Sequence, residues 1–122
     1  MAFANTAYNA WQAHHLASGE YTISWEELAI DLPGTVGTQY VTGDKITNGK
    51  YTCILFNGKY GTSTSITCQY RDALKYLEYR LFPNDTRYCI VPGSWALANT
   101  VCTSLGGNFD FASGTDNFYK LP

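Results

Sequence analysis

The first eighteen residues of the chain contain no aspartate, glutamate, lysine or arginine, and the first such residue is Glu20. Alanine recurs at positions 2, 4, 7, 10, 13 and 17, and Gly19 is a natural helix stop, so residues 2–18 are predicted to form a helix. A helix on the surface of a free globular domain normally carries charges on its outer face. This helix is therefore predicted to be covered on two sides.

The two flanks of the predicted helix carry different side chains. At about 100° per residue, Phe3, Ala7 and Trp11 share one stripe with Tyr8 at its margin, and Trp11 is expected to pack on a sheet. A narrow polar wedge consists of Asn5, Asn9 and Gln12. The small residues of the opposite flank are expected to face neighbouring molecules in an assembly, and they are Thr6, Ala13 and Ala17.

The composition favours one folded domain without a nucleic-acid partner. The chain has 122 residues, of which 45% are hydrophobic and 15% charged, so disorder is not expected. The net charge is −2 and the eight lysines and arginines are scattered, which leaves no basic cluster for a phosphate backbone. The ten tyrosines, six phenylalanines and three tryptophans are expected mainly in ordinary packing, with a sugar-stacking or partner-binding face as the alternative.

The four cysteines predict two disulfide bonds. They form an even set without a Cys-x-x-Cys pair, and the two histidines are neighbours in the sequence, whereas metal sites usually need close ligand pairs. Disulfides imply an oxidising compartment: the periplasm, the cell surface or the outside. Buried free thiols in a reducing cytosol are the alternative.

No segment approaches the roughly eighteen apolar residues that would span a membrane, and no secretion signal precedes the helix. An exported protein without an export signal suggests a piece of a longer protein, with Met1 added as a start.

The order of the remaining elements predicts an α+β domain. Ser24 and Glu27 suggest a capping box at the start of a short helix that Pro33-Gly34 ends, and residues 33–49 suggest a loop with one short strand near Gln39–Thr42. Four strands are predicted, at Lys50–Phe56, Ser63–Tyr70, Lys75–Phe82 and Arg87–Val91. A short helical piece at Trp95–Leu105 and an aromatic tail that packs back on the domain complete the chain.

No motif indicates catalysis, a cofactor or a metal. His14 and His15 lie among alanines, and no Gly-x-Ser-x-Gly motif is present. A carboxylate pair for glycoside chemistry would have to come from Glu26, Glu27 and Glu78. The aspartates lack calcium-loop spacing: Asp31, Asp44, Asp110 and Asp116. Asn84-Asp85-Thr86 matches a glycosylation sequon, a pattern frequent by chance. The chain is expected not to be an enzyme.

Both ends of the chain resemble one protein family. Residues 10–34, with Leu16-Ala17-Ser18-Gly19-Glu20-Tyr21, Trp25-Glu26-Glu27-Leu28 and Asp31-Leu32-Pro33-Gly34, resemble the end of the type IV pilin helix and the start of its αβ-loop. Arg87-Tyr88-Cys89, Val101-Cys102-Thr103-Ser104-Leu105-Gly106-Gly107 and Tyr119-Lys120-Leu121 resemble the disulfide-bounded C-terminal region of short bacterial type IV pilins.

The resemblance implies one pilin head domain over residues 1–122, in which the N-terminal helix packs on a roughly four-stranded antiparallel sheet and a disulfide staples the C-terminal region. Its parts would be the distal half of the long helix (2–18), the αβ-loop (19–49), the sheet (50–91), the C-terminal disulfide loop (89–102) and the tail (106–122). The resemblance favours a Cys89–Cys102 bridge. Cys53 and Cys68 would then face each other on two strands joined by a glycine-rich turn.

The resemblance also implies a structural subunit of a type IV pilus-like surface filament used in adhesion, motility or DNA uptake. Its partners would be copies of itself or other pilins, and Thr6, Ala13 and Ala17 would face the filament. It would contact the membrane only through a hydrophobic helix upstream of these residues, which anchors the subunit in the inner membrane before assembly. The alternatives are a pseudopilin of a type II secretion system, a secreted carbohydrate-binding module with exposed coplanar rings, and a small secreted hydrolase with His14 or His15 beside a carboxylate in a cleft.

Overall fold

The structure is a computed structural model that describes residues 2–28, 35–39, 43–57 and 64–122. The predicted place of Phe3 on the buried stripe, the turn at Pro33-Gly34 and Asp31 lie outside the described part.

The described residues contain two α-helices, a short 3-10 helix and eight strands. The helices are α1 (Ala2–Ser18) and α2 (Ala96–Ser104), and the 3-10 helix is Glu26–Leu28. The strands are β1 (Thr35–Gln39), β2 (Gly43–Asn48), β3 (Tyr51–Asn57), β4 (Thr64–Asp72), β5 (Lys75–Leu81), β6 (Arg87–Pro92), β7 (Asn108–Ser113) and β8 (Asp116–Lys120). They form one antiparallel sheet in the order β1-β2-β3-β4-β5-β6-β8-β7.

The predicted fold class, a pilin-like N-terminal helix packed on a roughly four-stranded sheet, is wrong. The described residues form mostly an eight-stranded antiparallel sheet with two short helices. The additional strands come from segments that the composition had suggested to be a loop and a tail. Both segments hold a two-residue hairpin turn whose first residue is a glycine with positive φ, 63° at Gly49 and 60° at Gly114. Such a turn brings its flanking strands into antiparallel register even where their composition is polar.

Helix α1 packs on one half of one sheet face. Ala7 and Trp11 are fully buried, and they belong to a cluster with Leu55, Ile66 and Leu81 of the sheet. The Trp11 indole N–H donates a 3.1 Å hydrogen bond to the backbone carbonyl oxygen of Thr22. The prediction that Trp11 packs on the sheet is confirmed.

Helix α2 covers the other half of the same face. Its Ala98 and Cys102 pack with Cys89 and Val91 of β6. The side-chain oxygen of Asn99 accepts hydrogen bonds from the Tyr119 hydroxyl at 2.7 Å and the Asn117 amide at 2.9 Å, which ties α2 to β8. The helices thus leave a part of the sheet face between them.

Candidate interaction surfaces

The outward flank of α1 is an exposed stripe that contains no acidic or basic residue. The stripe consists of Thr6, Asn9, Ala13 and Leu16, with Ala17 beside it. Its members are spaced three, four and three residues apart, which is the spacing of a seam between two packed helices. The residues expected to face a filament, Thr6, Ala13 and Ala17, are all exposed. Their role in assembly stays a prediction.

The polar wedge of α1 faces the turn between β5 and β6 more than it faces solvent. The Gln12 amide donates to the Pro83 carbonyl oxygen and to the Tyr8 hydroxyl, both at 2.8 Å. Asn5 accepts a long hydrogen bond of 3.5 Å from Arg87. Asn9 is exposed. Two of the three wedge residues therefore fasten α1 to the sheet.

The two histidines lie at the C-terminal end of α1. The His15 ring stacks on Tyr21 with ring centres 3.9 Å apart. His14 Nε2 lies 3.7 Å from a carboxylate oxygen of Glu27, which also accepts the hydroxyl hydrogen of Thr22. The Ser24 amide donates to that Thr22 hydroxyl at 3.0 Å, so Thr22 bridges the Ser24 backbone and the Glu27 side chain. Because Glu27 is exposed, this pair is a surface contact, whereas the hydrolase alternative requires a cleft.

The two disulfide bonds join the cysteines paired in the sequence analysis. Cys53 and Cys68 are direct partners in the β3–β4 ladder, with Cα atoms 4.0 Å apart. Cys89 and Cys102 connect β6 to α2, with Cα atoms 5.7 Å apart. Disulfides form and persist in oxidising compartments, and this indicates an extracellular or periplasmic location.

A groove of about 530 Å³ lies on the sheet face between α1 and α2. The Cys53–Cys68 disulfide forms part of the wall of this groove, and aromatic rings form much of the rest. Among the residues that the structure describes, the lining carries no charge and consists of Ala4, Ile46, Asn48, Tyr51, Thr52, Cys53, Cys68, Gln69, Tyr70, Leu77, Tyr79 and Trp95. The groove was not predicted from the sequence, although the alternation of a strand over Lys75–Phe82 puts Leu77 and Tyr79 on the same face. The missing information was the register, which sets Tyr51 opposite Tyr70 and Cys68 opposite Tyr79.

The other sheet face carries an aromatic and charged cluster. Phe111 stacks on Phe118 with ring centres 4.4 Å apart, and Tyr88 meets Phe118 edge to face. The Arg80 guanidinium lies over Phe118 and forms an ion pair with Glu78. Burial raises the pKa of the Glu78 carboxyl, while the nearby Arg80 charge acts in the opposite direction. Stacked and edge-on rings do not make the row of coplanar rings that the carbohydrate-binding alternative requires.

In residues 2–28, 35–39, 43–57 and 64–122, no three His, Cys, Asp or Glu side chains lie close enough together to hold a metal ion. The described carboxylates of Asp110 and Asp116 accept hydrogen bonds from Tyr88 and Tyr76. Within the same ranges no helix has the length and apolar character needed to cross a bilayer.

No protein-family model, curated protein or solved structure matches this chain. Its function is therefore inferred from the residues and contacts described above.

Proposed function

We propose that this chain is a non-catalytic structural subunit of a type IV pilus-like surface filament, with copies of itself or other pilins as its partners. The observation that carries the proposal is the two-sided character of α1. One flank is buried on the sheet through Ala7 and Trp11, and the other presents an uncharged stripe to the outside.

The stripe has the properties of a surface that becomes buried in an assembly. Leu16 is 85% exposed, so covering its side chain removes apolar area from water and stabilises a contact. Ala13 and Thr6 are small, which lets a neighbouring subunit approach closely. Burying this flank requires no charged group to lose its hydration, a loss that costs several kcal/mol per ion in real proteins.

Two further observations support a filament outside the cytoplasm. Both disulfides are compatible with the oxidising compartment in which such a fibre is assembled and displayed. The resemblance to pilins around Cys89 and Cys102 coincides with the disulfide that fixes α2 to β6.

The proposal is tested with Ala13→Glu in the whole reading frame, including any codons that precede the one for Met1. Filaments sheared from the cell surface should contain the wild-type chain, and Ala13→Glu should abolish them because it places an unpaired charge in a packed contact between subunits. In the 122-residue chain the same substitution should leave the melting temperature nearly unchanged, since exposed helix positions tolerate glutamate.

The matched control is Leu74→Glu, at a leucine that is 88% exposed in the β4–β5 turn. This variant should assemble normally. Normal filaments with Ala13→Glu would contradict the proposal, and so would the absence of the wild-type chain from the sheared fraction. A defect in protein secretion without surface filaments would assign the chain to the pseudopilins instead.

A further inference from the structure

We propose that the groove between α1 and α2 receives the α1 stripe of a second copy of this chain, with Leu16 as the inserted side chain. This inference rests on the filament function proposed above, and it adds a specific contact between subunits to that function.

The chemistry of the groove restricts its occupant. None of the described lining residues is charged, and the walls of the groove include the rings of Tyr51, Tyr70 and Trp95. Tyr51 is 63% exposed and its ring centre lies 5.2 Å from that of Tyr70, so these rings are accessible from outside. A charged segment entering this groove would lose hydration without meeting an opposite charge. The fitting occupant is an uncharged segment with at least one large apolar side chain.

The α1 stripe meets both conditions. It carries no carboxylate, lysine or arginine, and Leu16 projects from it as an apolar side chain that is 85% exposed. Ala13 precedes Leu16 by three residues and is small enough to let the helix approach the groove. A volume of about 530 Å³ suits a few side chains better than an entire buried helix.

One chain cannot make this contact with itself. Ala4 lines the groove, and Leu16 lies twelve residues later on the same helix, which is about 18 Å along the helix axis. The stripe and the groove are therefore different patches that meet only between copies. A contact between two different patches is heterologous, and its repetition produces a ring or an open helical array. An open array is what a filament requires.

The contact is tested by placing a photo-reactive phenylalanine at position 16 of the 122-residue chain and mixing it with isotope-labelled wild-type chain at about 1 mM, where weak contacts are populated. Mass spectrometry should find cross-links from position 16 to Tyr51, Tyr70 or Trp95 of the labelled copy. The same photo-reactive residue at Leu74, which is equally exposed, should give no cross-links to the groove.

A charge-pair experiment tests the contact without a photo-reactive group. Leu16→Glu or Tyr51→Lys alone should reduce association at least tenfold. Mixing the two single variants should restore it, because the intact stripe of Tyr51→Lys then meets the intact groove of Leu16→Glu, and the two substituted patches bring opposite charges together. Both positions are exposed, so both variants should remain folded. Failure of the mixed variants to recover, or an absence of cross-links between position 16 and the groove, would overturn the inference.

The experiments distinguish an error in the proposed filament function from an error in the proposed groove contact. If filaments form but position 16 cross-links to α1 of a neighbour, the groove contact is wrong and the filament function stands. If position 16 reaches the groove but the chain is absent from surface filaments, the filament function is wrong. A soluble oligosaccharide that shifts the NMR signals of Tyr51 and Trp95, with no groove cross-link from position 16, would assign the groove to a sugar and overturn the inference.

Discussion

The hydroxyl of Tyr8 donates a 2.7 Å hydrogen bond to the backbone carbonyl oxygen of Phe82, a residue 74 positions later in the chain. The same hydroxyl lies 3.0 Å from a carboxylate oxygen of Asp85, whose backbone has a positive φ of 66°. One buried side chain of α1 thus holds the turn between β5 and β6. This contact fixes the helix to the sheet and determines which flank of α1 faces outward.

Tyr8→Phe is expected to lower the free energy of unfolding by about 1–2 kcal/mol, because it removes the hydroxyl that donates to the Phe82 carbonyl and accepts from the Gln12 amide, while the Phe82 carbonyl keeps its bond from the Asp85 amide. The measurement is urea unfolding. Tyr88→Phe is the matched control, since the Tyr88 hydroxyl bonds Asp110 at an exposed site, and it should change stability by less than about 0.5 kcal/mol. Equal effects of the two variants would contradict the role assigned to Tyr8.

Trp11→Ala is expected to cost about 3–5 kcal/mol, because it empties a fully buried site between α1 and the sheet. Trp11→Phe keeps most of the packing but loses the hydrogen bond to Thr22, so its cost should be clearly smaller. Thermal and urea unfolding of both variants provide the comparison. A cost below about 1 kcal/mol for Trp11→Ala would show that α1 is not part of the core.

The disulfides are expected to differ in their accessibility to reducing agents. Cys53 and Cys68 retain 6% and 8% exposure and border the groove, whereas Cys89 and Cys102 are fully buried. Mild thiol treatment followed by alkylation and peptide mapping should therefore label the Cys53–Cys68 pair first. Mapping without reduction should recover both bridges, and a peptide joining Cys53 to Cys89 would contradict the structure.

The stability should depend on pH through Glu78. Burial raises the pKa of its carboxyl, so the folded state binds this proton more tightly than the unfolded state does. The contribution of Glu78 is fully present below the pKa of an unfolded glutamate and is lost as the pH rises through the folded-state pKa. The free energy of unfolding of wild type should accordingly fall relative to that of Glu78→Gln as the pH rises. A difference that stays constant from about pH 4 to 8 would contradict this assignment.

The sequence was sufficient for elements with a strong periodic pattern. Helix α1 ends at Ser18, just before the predicted stop at Gly19, and the strands predicted around Cys53, Cys68 and Cys89 are present within a few residues. These segments combine apolar periodicity with clear turn or cap residues. Local patterns of this kind identify an element before its neighbours are known.

The sequence did not predict strands that have a polar composition and form because neighbouring strands pair with them. Strand β2 contains Asp44, Lys45 and Asn48, and its composition is typical of a loop, yet pairing with β1 and β3 makes it a central strand of its half of the sheet. The fold-class error follows from such strands. The groove was missed for the same reason, because it exists only once the strand register places Tyr51, Tyr70 and Tyr79 together.

The position of β8 between β6 and β7 determines when the domain can be completed during synthesis. Strand β8 follows β7 in the chain, and β7 reaches the sheet only by pairing with β8. Until Asp116–Lys120 has been synthesised, β6 keeps an unpaired edge and Asn99 of α2 lacks its contacts with β8. The newly made chain therefore passes through a stage in which this half is open, and the edge of β6 is then free to pair with strands of other chains.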